Sequence, residues 1–332
     1  MKVWIPEYYH QFRCIASACP DSCCKEWEVD VDDAAAAFYR SLDGSLGERL
    51  RQVLKDTEDG TVMTIENGRC PMWRQDGLCR IQAELGHDAL CQVCQKFPRL
   101  RHDYGDFVEY GLELSCPEAA RLILSAPHDL TVQDLPGGEE PDYDSDVMDI
   151  LQQSRKTVID FLDTTPLPHN LALAVLLLYA HEVQSWLDGG ASAKLDADSC
   201  LSLAKKYAAS GNWDLFVSFF RNLEILTPQW KNRLAGTTNS TQWHAGFSAL
   251  TKYFIGRYWL QAVSDYDLIG RVKFLISACL LIAYLGGDFA ETAQLFSKEI
   301  ENDPDNVEAI LDGAYSAPAL TDVHLLSLLL NC

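Results

Sequence analysis

The chain has no glycine-rich G-x-G-x-x-G turn between a strand and a helix, so the usual cradle for a nucleotide-bearing cofactor is missing. The C-x3-C-x2-C triplet familiar from radical enzymes is also absent, because Glu26 stands where the third cysteine after Cys19-x3-Cys23 would be. No apolar run reaches the roughly 18 residues of a membrane span. The longest, Leu171–Ala180 and Phe274–Gly286, fall short. The opening MKVWIPEYYHQF has one lysine and no apolar stretch of about 7–15 residues, so no secretory signal is expected. Basic residues are few, 27 against 48 acidic ones, for a net charge of −21. A field of that sign repels phosphate backbones and anionic lipid, which argues against nucleic acid or a membrane surface as partner. It would attract a cationic protein surface, although keeping the protein soluble is its plainer role. The expected setting is the cytoplasm, where thiols stay reduced and disulfides are rare.

What the chain does have is cysteine, twelve in 332 residues. A chain of this length buries a core without staples, so the cysteines need another explanation. Nine lie between Cys14 and Cys116, and only Cys200, Cys279 and Cys332 follow. Their order is Cys14-x4-Cys19-x3-Cys23-Cys24, then Cys70-Pro71, Cys79, Cys91-x2-Cys94 and Cys116-Pro117. Thiolates at short intervals let one loop wrap several ligands around a soft cation, and zinc and iron–sulfur clusters both favour sulfur. Spacing serves zinc and iron equally. A disulfide framework fits poorly with an odd number of cysteines in a reducing compartment. The adjacent Cys23 and Cys24 diverge, and so serve different ligands or one tightly folded site. His10, His87 and His102 could replace a thiol, though solvated or hydrogen-bonded histidine is the commoner role.

The organisation predicted is mainly α: a cysteine-rich metal- or cluster-binding domain over residues 1–127, an acidic linker over 128–150, and an all-helical domain over 151–332. Asp32-Asp33 before AAAAFYRSL predicts an acid-capped helix, and Met63–Glu66 a short extended piece before the Asn67-Gly68 turn. Pro117 predicts a helix start that puts Cys116 at the N-cap, where the helix dipole would favour its thiolate. The segment APHDLTVQDLPGGEEPDYDSDVMD, rich in proline and carboxylates, reads as a loop with no means of burying surface. Beyond it, Leu171–Leu187 is apolar nearly all round. Trp213–Leu226, Trp243–Val263 and Leu268–Leu285 carry apolar residues at helical intervals. Asp288-x-x-Glu291, Asp303-Pro304 and Thr321 mark three further helix starts.

The order of motifs resembles the flagellin lysine-N-methylase family. The matching elements are Tyr8–Cys14 (YYHQFRC), Cys19 with Cys23-Cys24 and Trp27, and Cys70-Pro71 before Gly77-Leu78-Cys79-Arg80-Ile81. Leu85-Gly86, Cys94-x2-Phe97-Pro98-Arg99, Ser115-Cys116-Pro117-Glu118-Ala119 and the aromatic-and-arginine segment Tyr253–Tyr258 complete the set. The first half is also similar to small zinc- or iron-chelating cysteine proteins. Three departures stand out: Glu26 where glycine would precede the tryptophan, Met72-Trp73 in place of Phe-Leu, and an extra cysteine, Cys91.

The resemblance implies transfer of a methyl group from S-adenosylmethionine to surface lysines of flagellin, with a 4Fe–4S cluster. The ligands it implies come from Cys14, Cys19, Cys23, Cys24, Cys70, Cys79, Cys94 and Cys116. Arg99, beside the last ligand-bearing loop, is the expected carboxylate binder, against an ion-pair role. Trp27 and Trp73 are candidates to face a sulfonium or ammonium, against core packing. Tyr8, Tyr9 and Tyr104 are nominated as bases by proximity alone. The competing expectation is a zinc- or iron-bearing interaction module without catalysis.

Overall fold

The computed structural model describes residues 1–236 and 241–331; Cys332 lies outside them. The chain is mainly helical, with 58% of residues in helices and 11% in strands. The helix predicted after Asp32 runs Asp33–Ser41, and the Asp32 carboxylate accepts from Ala35 N at 3.1 Å. Pro117 opens the helix Pro117–Ser125 with Cys116 at its N-cap. The extended piece before Asn67 lies slightly earlier than expected, at Gly60–Met63.

From residue 151 onward the described residues contain helices and no strand. The predicted Leu268–Leu285 helix forms over those residues, capped by Asp267. It is long and apolar enough to cross a membrane, yet 94% of it is buried inside the protein, as befits a central core helix. Asp288, Asp303 and Thr321 each cap a helix with the side chain, as their spacing predicts.

Two apolar cores form. The smaller gathers Val29, Val31, Tyr39, Leu50, Met63, Met72 and Ile81 around the antiparallel sheet Val29–Val31, Gly60–Met63, Leu54–Thr57, and includes the buried Cys70 and Cys91. The larger unites the helices after residue 145 with Tyr8, Phe12, Phe107, Leu112, Leu114 and Ile123 from the first part of the chain. A four-stranded sheet flanks it, in the order Arg99–Asp103, Phe107–Leu112, Lys2–Pro6, Leu130–Asp134. Its central pair is parallel, with Val3 opposite Val108.

The acidic segment read as a loop departs from expectation. Leu130–Asp134 pairs antiparallel with Lys2–Pro6, and the helix Ser145–Thr164 begins before residue 151. The strand stays exposed, consistent with its polar sequence. Backbone bonding holds it, and the Met1 ammonium adds bonds to the carbonyls of Leu135 and Gly137. A composition rule sees the missing apolar residues but not an unpaired sheet edge that recruits them.

Candidate metal centre

The nine N-terminal cysteines are brought into one neighbourhood by four short structures. Cys14, Cys19, Cys23 and Cys24 lie on the loop after the helix Glu7–Gln11. Cys70 is pinned to that loop by its own N–H, which donates to the Cys24 carbonyl at 2.8 Å. Cys79 caps the helix Arg80–Leu85, and Cys91 caps Gln92–Lys96, which carries Cys94 one turn on. Asp32 ties that last helix to its own, since its second oxygen accepts from Gln92 N at 2.8 Å. Cys116 arrives on the helix start at Pro117.

The thiols sense one another in two overlapping groups. Cys14, Cys19 and Cys116 interact with Cys23, directly or through Cys19. Cys24, Cys70, Cys79, Cys91 and Cys94 form the other group. Cys23 also touches Cys24, so the adjacent pair joins the two groups. Cys91, extra by sequence, is buried and bonded to Cys94. All eleven described cysteines are free thiols.

Crowding and burial set their ionisation. The thiol of Cys24 is pushed up to about 12, although its bond to Cys23 acts the other way, because the Cys70 bond and burial outweigh it. Cys91 is drawn down to about 7 by its bond to Cys94, which rises in turn. Cys116 corrects the sequence expectation. The N–H groups of Glu118 and Ala119 favour its thiolate, but burial dominates and lifts it to about 12. Cys70 and Cys91 are lowered by their neighbours, but most of the set is held protonated and becomes a set of ligands only when a cation supplies the compensating charge.

The donor chemistry therefore suits zinc or an iron–sulfur cluster. Among the described residues, however, no three cysteine, histidine or carboxylate side chains stand around one point as metal ligands. The sulfurs are gathered in kind without forming a closed cage. Among the described residues, His10, His87 and His102 complete no such group either.

The cysteine loop is fastened to the helical part by residues that sequence reasoning missed. A single π turn, Ser297–Glu301, buries Lys298 and Glu301 together, and such turns recur at functional sites. Lys298 Nζ lies 3.0 Å from Asp21 Oδ2 and 2.7 Å from Glu26 Oε2. Glu26 has φ 75°, a left-handed backbone that favours glycine, which accounts for glycine being expected there. Gln294 Nε2 donates to the Ser115 carbonyl at 2.7 Å, and Leu114 N donates to the Tyr253 hydroxyl, holding the approach to Cys116. No signal in the sequence pointed to this, since Lys298 stands between Ser297 and Glu299 in a mixed stretch.

The other candidates occupy plainer surroundings. Trp27 turns its face to the protein's own ammonium, Lys298 Nζ, 5.2 Å from the ring centre. Trp73 stacks under the Arg69 guanidinium at 3.7 Å. Arg99 is exposed and lies over the rings of Phe12 and Tyr9, at 5.1 and 5.9 Å. Burial raises Tyr8, Tyr9 and Tyr104 above the usual phenol range, so each holds its proton at neutral pH.

Fold and site together define a mainly helical protein that gathers reduced cysteines on loops clamped to its helical part. No family profile and no solved structure matches the chain. Over 135 residues, 37% of its length, it is 32% identical to the flagellar biosynthetic protein FliU of Salmonella muenchen, covering 76% of that protein. It is equally identical to lysine-N-methylases of Salmonella typhimurium and Salmonella choleraesuis, but covers 32% of each. The chain belongs to the flagellin lysine-N-methylase family. It spans about a third of the length of the curated lysine-N-methylases it matches.

Proposed function

We infer that this protein is a cytoplasmic protein-lysine N-methyltransferase that takes its methyl group from S-adenosylmethionine and acts on flagellin. The observation that carries this reading is the 32% identity with proteins named lysine-N-methylase. The acidic surface of the chain, −21 in net charge, suits a lysine-bearing protein substrate. Transfer requires a neutral amine, whereas free lysine has a pKa of about 10.4. The site must therefore bind the ammonium, strip its water and accept a proton.

The cysteines that influence one another's ionisation, with Cys23 and Cys24 at the junction, are the ones that would hold a 4Fe–4S cluster. When bound, such a cluster would supply an iron free of cysteine, a Lewis-acidic centre beside the cysteine loop. What the chain itself does is position: Lys298 holds the Cys19–Cys24 loop through Asp21 and Glu26, while Gln294 and Tyr253 hold the approach to Cys116.

The test is incubation of protein prepared without oxygen with S-adenosylmethionine and a purified flagellin. Mass gains of one methyl per modified lysine support the reading, and unmodified flagellin in the presence of loaded protein removes it.

A second reading is favoured by the burial of Cys70 and Cys91 within the smaller core. There the metal is zinc, it stabilises the fold, and the protein binds a partner without catalysis. Iron and acid-labile sulfide in the anaerobic protein separate the cluster from stoichiometric zinc.

A further inference from the structure

The helix Gly246–Tyr258 borders an open cavity of about 380 Å³, lined also by the four-stranded sheet, the segment Pro127–Leu130 and the helix Ser145–Thr164. That volume falls within the roughly 300–1,000 Å³ of small-ligand sites. Gly256 lines the cavity from the interior of its helix, and a methyl group placed on it would meet nothing within 4 Å. A glycine inside a helix costs about 1 kcal/mol against alanine. No positive φ and no close neighbour requires one here. What glycine preserves at position 256 is space.

The lining is mixed, largely apolar with charged groups balanced in sign. Arg155 and Glu109, both buried, exchange two hydrogen bonds of 2.9 and 2.6 Å. Lys252 pairs with Asp163, and Arg257 reaches Glu301 at 3.3 Å from behind the cavity wall. Asp129 stands at the rim, and the half-buried His102 ring makes no hydrogen bond among the described residues. Trp4 and Tyr110 supply aromatic wall. A phosphate would meet Glu109, Asp129 and Asp163, and a bare ammonium would meet Arg155, Lys252 and Arg257. A ligand that carries both signs meets its complement on either side, and a flat ring suits the aromatic wall.

We propose that this cavity over Gly256 binds a small zwitterion bearing a flat ring, and that the ligand is the adenosyl amino acid body of the methyl donor. The identity of the ligand rests on the methyl-transfer reading; the cavity and its class of ligand do not. The probe is S-adenosylhomocysteine, titrated calorimetrically into the full chain and into Gly256→Leu, whose side chain fills the cavity from a helix it should stabilise.

Saturable binding by the wild type, weakened at least about tenfold in Gly256→Leu at an undiminished thermal midpoint, is the expected result. Should Gly256→Leu lose its midpoint, Gly256→Ala and Tyr110→Ala serve in its place, each with a smaller loss of binding expected. Equal binding by wild type and variants overturns the cavity and leaves methyl transfer standing with its donor elsewhere. No binding by a wild type that methylates flagellin overturns it too. Binding that depends on residue 256 in a protein that never methylates supports the cavity and removes the methyl-transfer reading instead.

Discussion

Lys298 Nζ lies 2.7 Å from Glu26 Oε2, joining a buried lysine of the helical part to a cysteine-loop residue whose backbone is left-handed. The same ammonium reaches Asp21, so one cation holds both ends of the Cys23–Cys24 segment. Sequence separation between the partners is near 270 residues, and a clamp of that span exists only in the folded state.

Replacing Lys298 with methionine leaves two carboxylates facing a buried apolar chain. The expected loss is about 2–3 kcal/mol, below the value for fully buried pairs because Asp21 and Glu26 keep some water. Urea denaturation measures it. Alkylation of Cys23 and Cys24 in metal-free protein should also accelerate, with the helical circular dichroism unchanged. Unaltered labelling rates would show that the loop is held by something else.

Glu26 sets backbone strain against an ion pair. A non-glycine residue in the left-handed region costs roughly 1–2 kcal/mol, so Glu26→Gly should be more stable than Glu26→Ala by about 1 kcal/mol. Both lose the bond to Lys298. Equal denaturation midpoints for the two variants would contradict the assigned φ.

Cys23 influences the ionisation of thiols in both groups, whereas Cys200 lies in the helix Ala197–Tyr207. Cys23→Ser should therefore lower the metal bound per chain by more than half, and Cys200→Ser should leave it unchanged. Elemental analysis of anaerobically prepared protein reads both. Full metal retention in Cys23→Ser would move the centre away from the junction.

Asp322 lies 3.1 Å from His181 Nε2 and 2.9 Å from Lys273 Nζ, and these partners hold its carboxyl down to about 2 despite burial. A depressed carboxylate stabilises the fold above its unfolded value near 3.8 and loses that contribution as pH falls toward 2. Asp322→Asn should cost on the order of 1 kcal/mol at pH 7, given solvent screening of a partly exposed group. The difference from wild type should shrink between pH 4 and pH 2. A gap that persists at pH 2 would mean that lost packing, not charge, causes it.

Local grammar was legible in the sequence. Asp32, Asp288, Asp303 and Thr321 cap helices because a short polar side chain reaches an N–H two or three residues on, which needs no tertiary context. Leu171–Leu187 announced its burial by being apolar nearly all round. The expectation of glycine at position 26 was sound as backbone geometry, and Glu26 fills the position by adding a bond to Lys298. The sequence placed Cys116 at its helix start but misjudged its thiol, because the dipole is local whereas the burial that outweighs it comes from distant segments.

By itself, then, the order of residues determined where several helices start, and that nine thiols crowd the first 120 residues of a chain with no need of staples. Only the tertiary structure decided that Cys23 and Cys24 join two thiol groups, that Lys298 clamps their loop, and that a cavity opens over Gly256. Those features arise where segments far apart in the chain meet, and burial, charge pairing and enclosed volume are properties of the meeting rather than of either segment.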